Sequence, residues 1–261
     1  MCGIVGYTGP KQAYPIILKG LKRLEYRGYD SSGVALMNGG GLKVYKKKGK
    51  VAELEEHLIG KNLDAHIGIG HTRWATHGEP SDRNAHPHSS ANGRLAIIHN
   101  GIIENYAQIK NELTKKGYTF NSDTDTEVLL NFIEYIQDNN DCSLEEALRI
   151  ALKRVSGAYC ILLIDKNDPD TIIAARKGSP LVIGIGKGEH FLASDASPIV
   201  EYTKEVVYIN DYELAIVKPD ELILKNLGNE KITPYVTRLD MELAAIEKGG
   251  FDHFMLKEIF E

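Results

Sequence analysis

From Ala158 onward the sequence is a succession of short apolar runs, at 158–164, 171–175, 181–185, 190–193, 205–209, 212–217, 221–225 and 231–236. Most gaps between them are of turn length, with Asp168-Pro169-Asp170 and Lys187-Gly188 as turn signals and Asp195-Ala196-Ser197-Pro198 opening a short helical piece. A parallel connection needs a crossover of a dozen residues or more, so strands this closely spaced pair antiparallel. That excludes a doubly wound parallel sheet. The preceding half supplies amphipathic helices, and hairpins plus blocks of helix predict an α+β layered sandwich.

In the first half, residues 2–7 read as a strand, and Pro10 to Tyr26 as a helix with Tyr14, Ile17, Leu18, Leu21 and Leu24 on one stripe, ended by Gly28. Val34 to Met37 and Leu42 to Tyr45 form a hairpin across Asn38-Gly39-Gly40-Gly41. A short helix spans Val51 to Leu58, and Ile67 to Gly70 is a strand. About twenty polar residues follow, from His71 to Ser90, with four histidines and Trp74, the only tryptophan. Loops this long inside compact domains are usually functional or disordered. Leu95 to His99 is an apolar strand ending at Asn100-Gly101, and helices are predicted over 104–116, from the cap Thr124-Asp125-Thr126-Glu127, and from the capping box Ser143-Leu144-Glu145-Glu146.

The N-terminus, Met1-Cys2-Gly3-Ile4-Val5-Gly6, places a cysteine directly after the initiator methionine. Removal of Met1 gives Cys2 a thiol and a free α-amine, so that one residue supplies both a nucleophile and a base of near-neutral pKa. The plainer reading is a small buried hydrophobe at a strand start. Asn100-Gly101 can aim a side-chain amide and a backbone N–H at one atom, as an oxyanion hole does; alternatively it is a turn. Arg73 offers a two-pronged donor for a carboxylate, and Asp125 at a helix start an anion for an ammonium, together a clamp for a free α-amino acid. Alternatively they are a surface ion-pair member and a helix cap. Histidines 66, 71, 77, 86, 88 and 99 suggest a metal, but His86-Pro87-His88 sits in a loop without carboxylates at helical spacing, so no metal site is expected. Gly184-Ile185-Gly186-Lys187-Gly188 precedes no long helix and reads as a hairpin turn, not a phosphate loop.

A net charge of −5 spread along 261 residues gives no footprint for nucleic acid. No apolar stretch reaches 18 residues and no signal-like N-terminus is present, so neither membrane nor secretion is expected. Cysteines 2, 142 and 160 lack metal-ligand spacing and fit a reduced, cytoplasmic compartment, with Cys160 in the core.

The motifs Met1-Cys2-Gly3-Ile4-Val5-Gly6, Tyr26-Arg27-Gly28-Tyr29-Asp30-Ser31, His71-Thr72-Arg73-Trp74-Ala75-Thr76-His77-Gly78, His99-Asn100-Gly101-Ile102-Ile103-Glu104-Asn105 and Thr124-Asp125-Thr126-Glu127-Val128 together resemble a known family. The chain is similar to the glutaminase domains of glutamine–fructose-6-phosphate aminotransferases, which are class II glutamine amidotransferases. The resemblance implies an N-terminal-nucleophile hydrolase fold, a four-layer αββα sandwich with two antiparallel sheets. It implies that Cys2 attacks the side-chain amide of L-glutamine, that Asn100 and Gly101 hold the oxyanion, and that Arg73 and Asp125 bind the carboxylate and amine. Thr76 and His77 match glutamine-contacting positions, and Trp74 the gate of an ammonia channel. No cofactor is implied. The resemblance further implies a glutaminase domain over 1–240, a linker over 241–261 toward sugar isomerase domains that bind fructose 6-phosphate, and a homodimeric full-length enzyme. A catalytically silent regulatory domain of the same fold is the alternative, because fold alone does not settle function.

Overall fold

The structure is a computed structural model that describes residues 2–38 and 41–240. The expected linker, 241–261, lies outside the described residues, as does the centre of the turn at Gly39-Gly40.

Two antiparallel sheets lie face to face. In the first, β1 (Gly3–Thr8) is central, flanked by β4 (Ile67–Arg73), β2 (Ser31–Asn38) and β3 (Gly41–Lys48) on one side. On its other side lie β10 (His190–Ala193), β9 (Val182–Ile185), β11 (Glu205–Tyr208) and β15 (Val236–Arg238). The second sheet runs β14 (Lys231–Ile232), β13 (Glu221–Asn226), β12 (Glu213–Lys218), β8 (Asp168–Lys177), β7 (Gly157–Asp165), β6 (Leu95–Ile103) and β5 (His88–Ser89). The helices α1 (Ala13–Arg23) and α2 (Val51–His57) cover the outer face of the first sheet; α3 (Tyr106–Thr114), α4 (Asp125–Asn140) and α5 (Leu144–Arg154) cover that of the second.

Alternation along the strands produces these layers. In β7, Cys160, Leu162 and Ile164 face the other sheet, whereas Tyr159, Ile161 and Leu163 face the helices. In β1, Ile4 faces inward and Val5 and Tyr7 face α1. Both faces are buried, so the strands read as unbroken apolar runs rather than as polar–apolar alternation. Each fully buried Leu or Ile of the inter-sheet layer contributes roughly 1.5–3 kcal/mol.

Several elements differ from the sequence expectation. The helix expected from Pro10 begins at Ala13 and ends at Arg23, followed by a single 3-10 turn, Glu25–Arg27, that Gly28 closes at φ 77°. Asp168-Pro169-Asp170 belongs to β8, and the turn is Lys166-Asn167. Asp195-Ala196-Ser197-Pro198 leads into turns, not a helix. The run 231–236 divides at Pro234 into β14 and β15, which join different sheets. The two strands bordering the polar loop both run further than expected, β4 through Arg73 and β6 through Asn100-Gly101 to Ile103. Those extensions build the site.

Candidate active site

Gly3 pairs with Thr72 in the ladder of β1 and β4, so Cys2, just before β1, falls level with Arg73. The Trp74 N–H donates to Cys2 Sγ at 3.2 Å, and the thiol lies 3.5 Å from the Trp74 carbonyl. Burial pushes the Cys2 thiol up, against the opposing pull of the Trp74 N–H and of the Arg73 charge. At neutral pH the resting sulfur is therefore protonated, and a base would have to remove that proton for it to serve as a nucleophile. Among the described residues, no side-chain base touches Sγ.

The opposite wall comes from the second sheet. In β6, Asn100 pairs with Cys160 and Gly101 with Tyr159 of β7. Asn100 Nδ2 crosses the gap between the sheets and donates to the Cys2 carbonyl at 3.1 Å. Gly101 has φ 127°, and a Cβ there would stand 2.1 Å from the Ala158 carbonyl oxygen, so no other residue fits. Asn100-Gly101 is thus not a turn but an irregular stretch inside a strand.

Arg73 is 3% exposed. Its Nη2 donates to the carbonyls of His77 and Gly78, and its Nη1 is 3.9 Å from Asp30 Oδ1 and has no hydrogen-bond partner. Burial lowers the Arg73 pKa while the charges of Asp30, Cys2 and Asp125 oppose the shift; guanidinium remains protonated. Asp125 is not the helix cap. That role belongs to Thr124, whose hydroxyl accepts from the Glu127 N–H, and Asp125 is the first residue of α4. Its Oδ2 accepts from the Ile103 N–H at 2.8 Å, which ties α4 to the end of β6.

Two clefts meet at Cys2. The inner one is lined by Arg73, His77, Asp125, Gly101 and His99. The outer one, more apolar, is lined by Arg27, Asn100, Ile102 and Pro180. Trp74, Thr76 and Gly101 line both. All eight site residues expected from the sequence therefore converge on this region: Cys2, Arg73, Trp74, Thr76, His77, Asn100, Gly101 and Asp125. They differ in setting, since Arg73, Asn100 and Asp125 are buried while Trp74 is 55% exposed.

His71, His86, His88 and His99 form a buried cluster beside the inner cleft, which His86 and His99 line. His86 Nε2 and His99 Nδ1 both bond the Thr126 hydroxyl, at 2.8 and 3.0 Å; His88 Nε2 bonds Thr124 at 3.0 Å; His71 Nε2 bonds Asn100 Oδ1 at 2.8 Å. Burial lowers the pKa of all four, that of His71 to about 3, so they are neutral at pH 7. Their hydroxyl and amide partners make them a hydrogen-bonded support, and among the described residues no three His, Cys, Asp or Glu side chains form a metal-holding group.

Residue-type reasoning gave no role to Asp30 or Thr126 and weighed His71 only as a metal ligand, not as a partner of Asn100. Asp30 accepts from the Ala75 N–H, and its own N–H donates to the Arg73 carbonyl at 2.7 Å, so it holds the start of the loop. The available signal was the alternation Ile69, His71, Arg73, which continues the inward face of β4 past the point where apolarity stops.

The glutamine amidotransferase domain family matches residues 57–219. The chain is 58% identical over 263 residues to a glutamine–fructose-6-phosphate aminotransferase (isomerizing) of Bacteroides thetaiotaomicron, and 57% over 265 residues to that of Chlorobaculum tepidum. Each alignment covers 100% of this chain and 43% of the relative, so the chain spans less than half of those proteins. Among solved structures, the glutamine phosphoribosylpyrophosphate amidotransferase of B. subtilis, complexed with ADP and GMP, superposes with a TM-score of 0.74 at 26% identity, covering 87% of this chain and 49% of that one. A cysteine at the head of a central strand, facing an Asn-Gly pair from the other sheet of an αββα sandwich, agrees with that family match, and the chain belongs to the glutamine amidotransferase domain family.

Proposed function

We propose that this chain hydrolyses L-glutamine to glutamate and ammonia through a thioester on Cys2, once Met1 has been removed. The observation that carries the reading is the buried Arg73 Nη1, which has Asp30 as an ion-pair neighbour at 3.9 Å but no hydrogen bond, in the cleft that also holds Asp125 and Cys2. An unpaired buried donor is costly unless a ligand completes it. A free amino acid supplies a carboxylate for Arg73 and an ammonium for Asp125, leaving its side-chain amide to reach Cys2.

The Cys2 α-amine, freed by loss of Met1, takes the thiol proton as Sγ bonds to the amide carbon. The resulting oxyanion is stabilised by Asn100 Nδ2 and the Gly101 N–H, each such donor contributing about 2.7–4 kcal/mol. The proton then passes to the leaving nitrogen and ammonia departs. Water attacks the thioester, releasing glutamate and restoring the thiol. Thr76, His77 and Trp74 contact the substrate from the loop.

We assign residues 1–240 to the glutaminase unit and 241–261 to its connection with a sugar-isomerising part. In the full-length protein, a cytoplasmic homodimer on this reading, the ammonia aminates fructose 6-phosphate to glucosamine 6-phosphate. The support is the activity named for the relatives and the share of their length that this chain spans.

The test assays the purified 261-residue chain, its N-terminus defined by mass spectrometry. The expected result is equimolar glutamate and ammonia from protein beginning at Cys2, no turnover from protein retaining Met1, and no aminated sugar when fructose 6-phosphate is added. A processed but inactive protein would overturn the reading in favour of a silent domain.

A further inference from the structure

The layer between the two sheets is apolar over most of its extent and turns polar only toward the cleft. His71 is fully buried there, on β4, opposite Ile4 of β1 on one side and Gly33 of β2 on the other. Its Nε2 is 2.8 Å from Asn100 Oδ1, its Nδ1 has no partner, and its ring packs on His86 with centroids 4.4 Å apart. An apolar side chain of similar volume would fill this space without leaving an orphaned nitrogen. What the imidazole adds is the 2.8 Å hydrogen bond to Asn100, beside a weaker contact with the His99 backbone.

The chemistry of the contact fixes the direction of that bond. Burial holds His71 neutral, so its ring carries one proton, and an amide oxygen only accepts. The proton is therefore on Nε2, and the bare Nδ1 is the nitrogen without a partner. The Asn100 amide is constrained from both ends. Reversing it would set Oδ1 against the Cys2 carbonyl, now 3.1 Å from Nδ2, two acceptors facing each other.

We propose that His71 is a positioning residue for amide hydrolysis: its Nε2–H holds Asn100 with Nδ2 facing Cys2, so that the side-chain oxyanion donor is aimed before substrate binds. The inference rests on the glutaminase reading above. Donation into Oδ1 also polarises the amide and strengthens its N–H as a donor. His71 lies two residues before Arg73 on the same strand face, so one rigid strand carries both the substrate's carboxylate partner and the support for its oxyanion donor.

The test measures kcat and KM for glutamine in wild type, His71→Leu, His71→Asn and His71→Gln, each with and without Asn100→Ala. Thermal melting and the rate of Cys2 alkylation by iodoacetamide show that each variant is folded. Misaiming one oxyanion donor should cost part of the 10²–10³-fold of its loss, so His71→Leu is expected to lower kcat by roughly 10–100-fold with KM nearly unchanged. Gln, whose longer amide can still donate, should recover most of the rate, and Asn, too short to reach, should not. On the Asn100→Ala background no His71 substitution should lower kcat further. Equal losses on both backgrounds, an unchanged kcat in His71→Leu, or Gln no better than Asn would overturn the proposal. If Leu does not fold, the Asn and Gln pair decides in the same way. Wild-type protein without glutaminase activity would instead overturn the functional reading itself, so the two failures are distinguishable.

Discussion

The two sides of the site are built on different terms. One side is the end of β4, the irregular end of β6 and the first turn of α4, which bring Arg73, Asn100 and Asp125 together as buried groups tied to backbone or to other side chains. The other is the stretch after Arg73, where Trp74 and Thr76 are exposed and His77 half-buried. The charged groups proposed to bind substrate lie on a strand end and a helix start, where position is set by the ladders and by the helix's tie to β6. The residues that would cover the substrate lie on the loop, where adjustment costs little. Arg73 joins the two, since the guanidinium proposed to bind substrate also braces the loop through the His77 and Gly78 carbonyls.

The largest expected effect removes the nucleophile from the rigid side. Cys2→Ala should lower glutamine turnover by at least about 10⁴-fold, the scale on which loss of a nucleophile is felt, while circular dichroism and the melting curve remain those of wild type. Substantial residual rates would move the chemistry elsewhere.

Next come the two buried charges. Arg73→Ala and Asp125→Asn, each made in the Cys2→Ala background and titrated with glutamine by calorimetry, should each weaken binding by about 2–5 kcal/mol. Of the two, only Arg73→Ala should also raise proteolysis between residues 74 and 80, because Arg73 bonds the loop carbonyls and Asp125 does not. If both variants open the loop equally, the division between the two sides is wrong.

The histidine cluster tests the rigid side by pH. His71, with its pKa at about 3 in the folded protein and 6.5 in an unfolded one, costs nothing above pH 7, where both states are neutral. Below pH 6.5 the unfolded state takes up the proton first, so stability falls as pH drops toward 3, by about 2–3 kcal/mol at pH 4.5 from this residue alone. His86, His88 and His99 act in the same direction. Urea unfolding between pH 7.5 and 4.5 measures this, and an unchanged midpoint would show that the cluster is not neutral and buried.

The smallest effect belongs to the loop. Thr76→Ala should leave stability within about 0.5 kcal/mol of wild type, as exposed substitutions do, and raise KM several-fold without lowering kcat. A fall in kcat at constant KM would place Thr76 among the groups that act on the transition state.

The layered α+β class was legible because turn-length gaps between apolar runs exclude crossover helices. Residue type alone left Cys2, Asn100-Gly101, Arg73 and Asp125 open between site and scaffold, and only the resemblance of the whole set of motifs to a known family singled them out. The ends of the strands were not legible. Ile67 to Gly70 and Leu95 to His99 were read as stopping where apolarity stops, yet both strands continue through polar residues that face a cleft between the sheets. Hydrophobic periodicity reports burial among apolar neighbours and is silent where a strand is buried against hydrogen-bonding groups. The division of 231–236 between two sheets was hidden for a related reason, since a local run does not state which partner strand it will meet.

The sequence by itself determined the elements, the antiparallel pairing and the inventory of reactive groups, because these follow from spacing, turn chemistry and side-chain type within a few residues. Only the tertiary structure decided which of those groups meet. Asn100 reaches Cys2 across 98 residues of chain, and His71 reaches Asn100 from the other sheet, because two twisted ladders set their ends side by side. The same packing made Thr124 the cap and freed Asp125 to hold the end of β6, and it turned four histidines of the polar segment and its border into a neutral, buried support. Those roles depend on desolvation and on contacts between distant segments, and neither quantity exists until the sheets have packed.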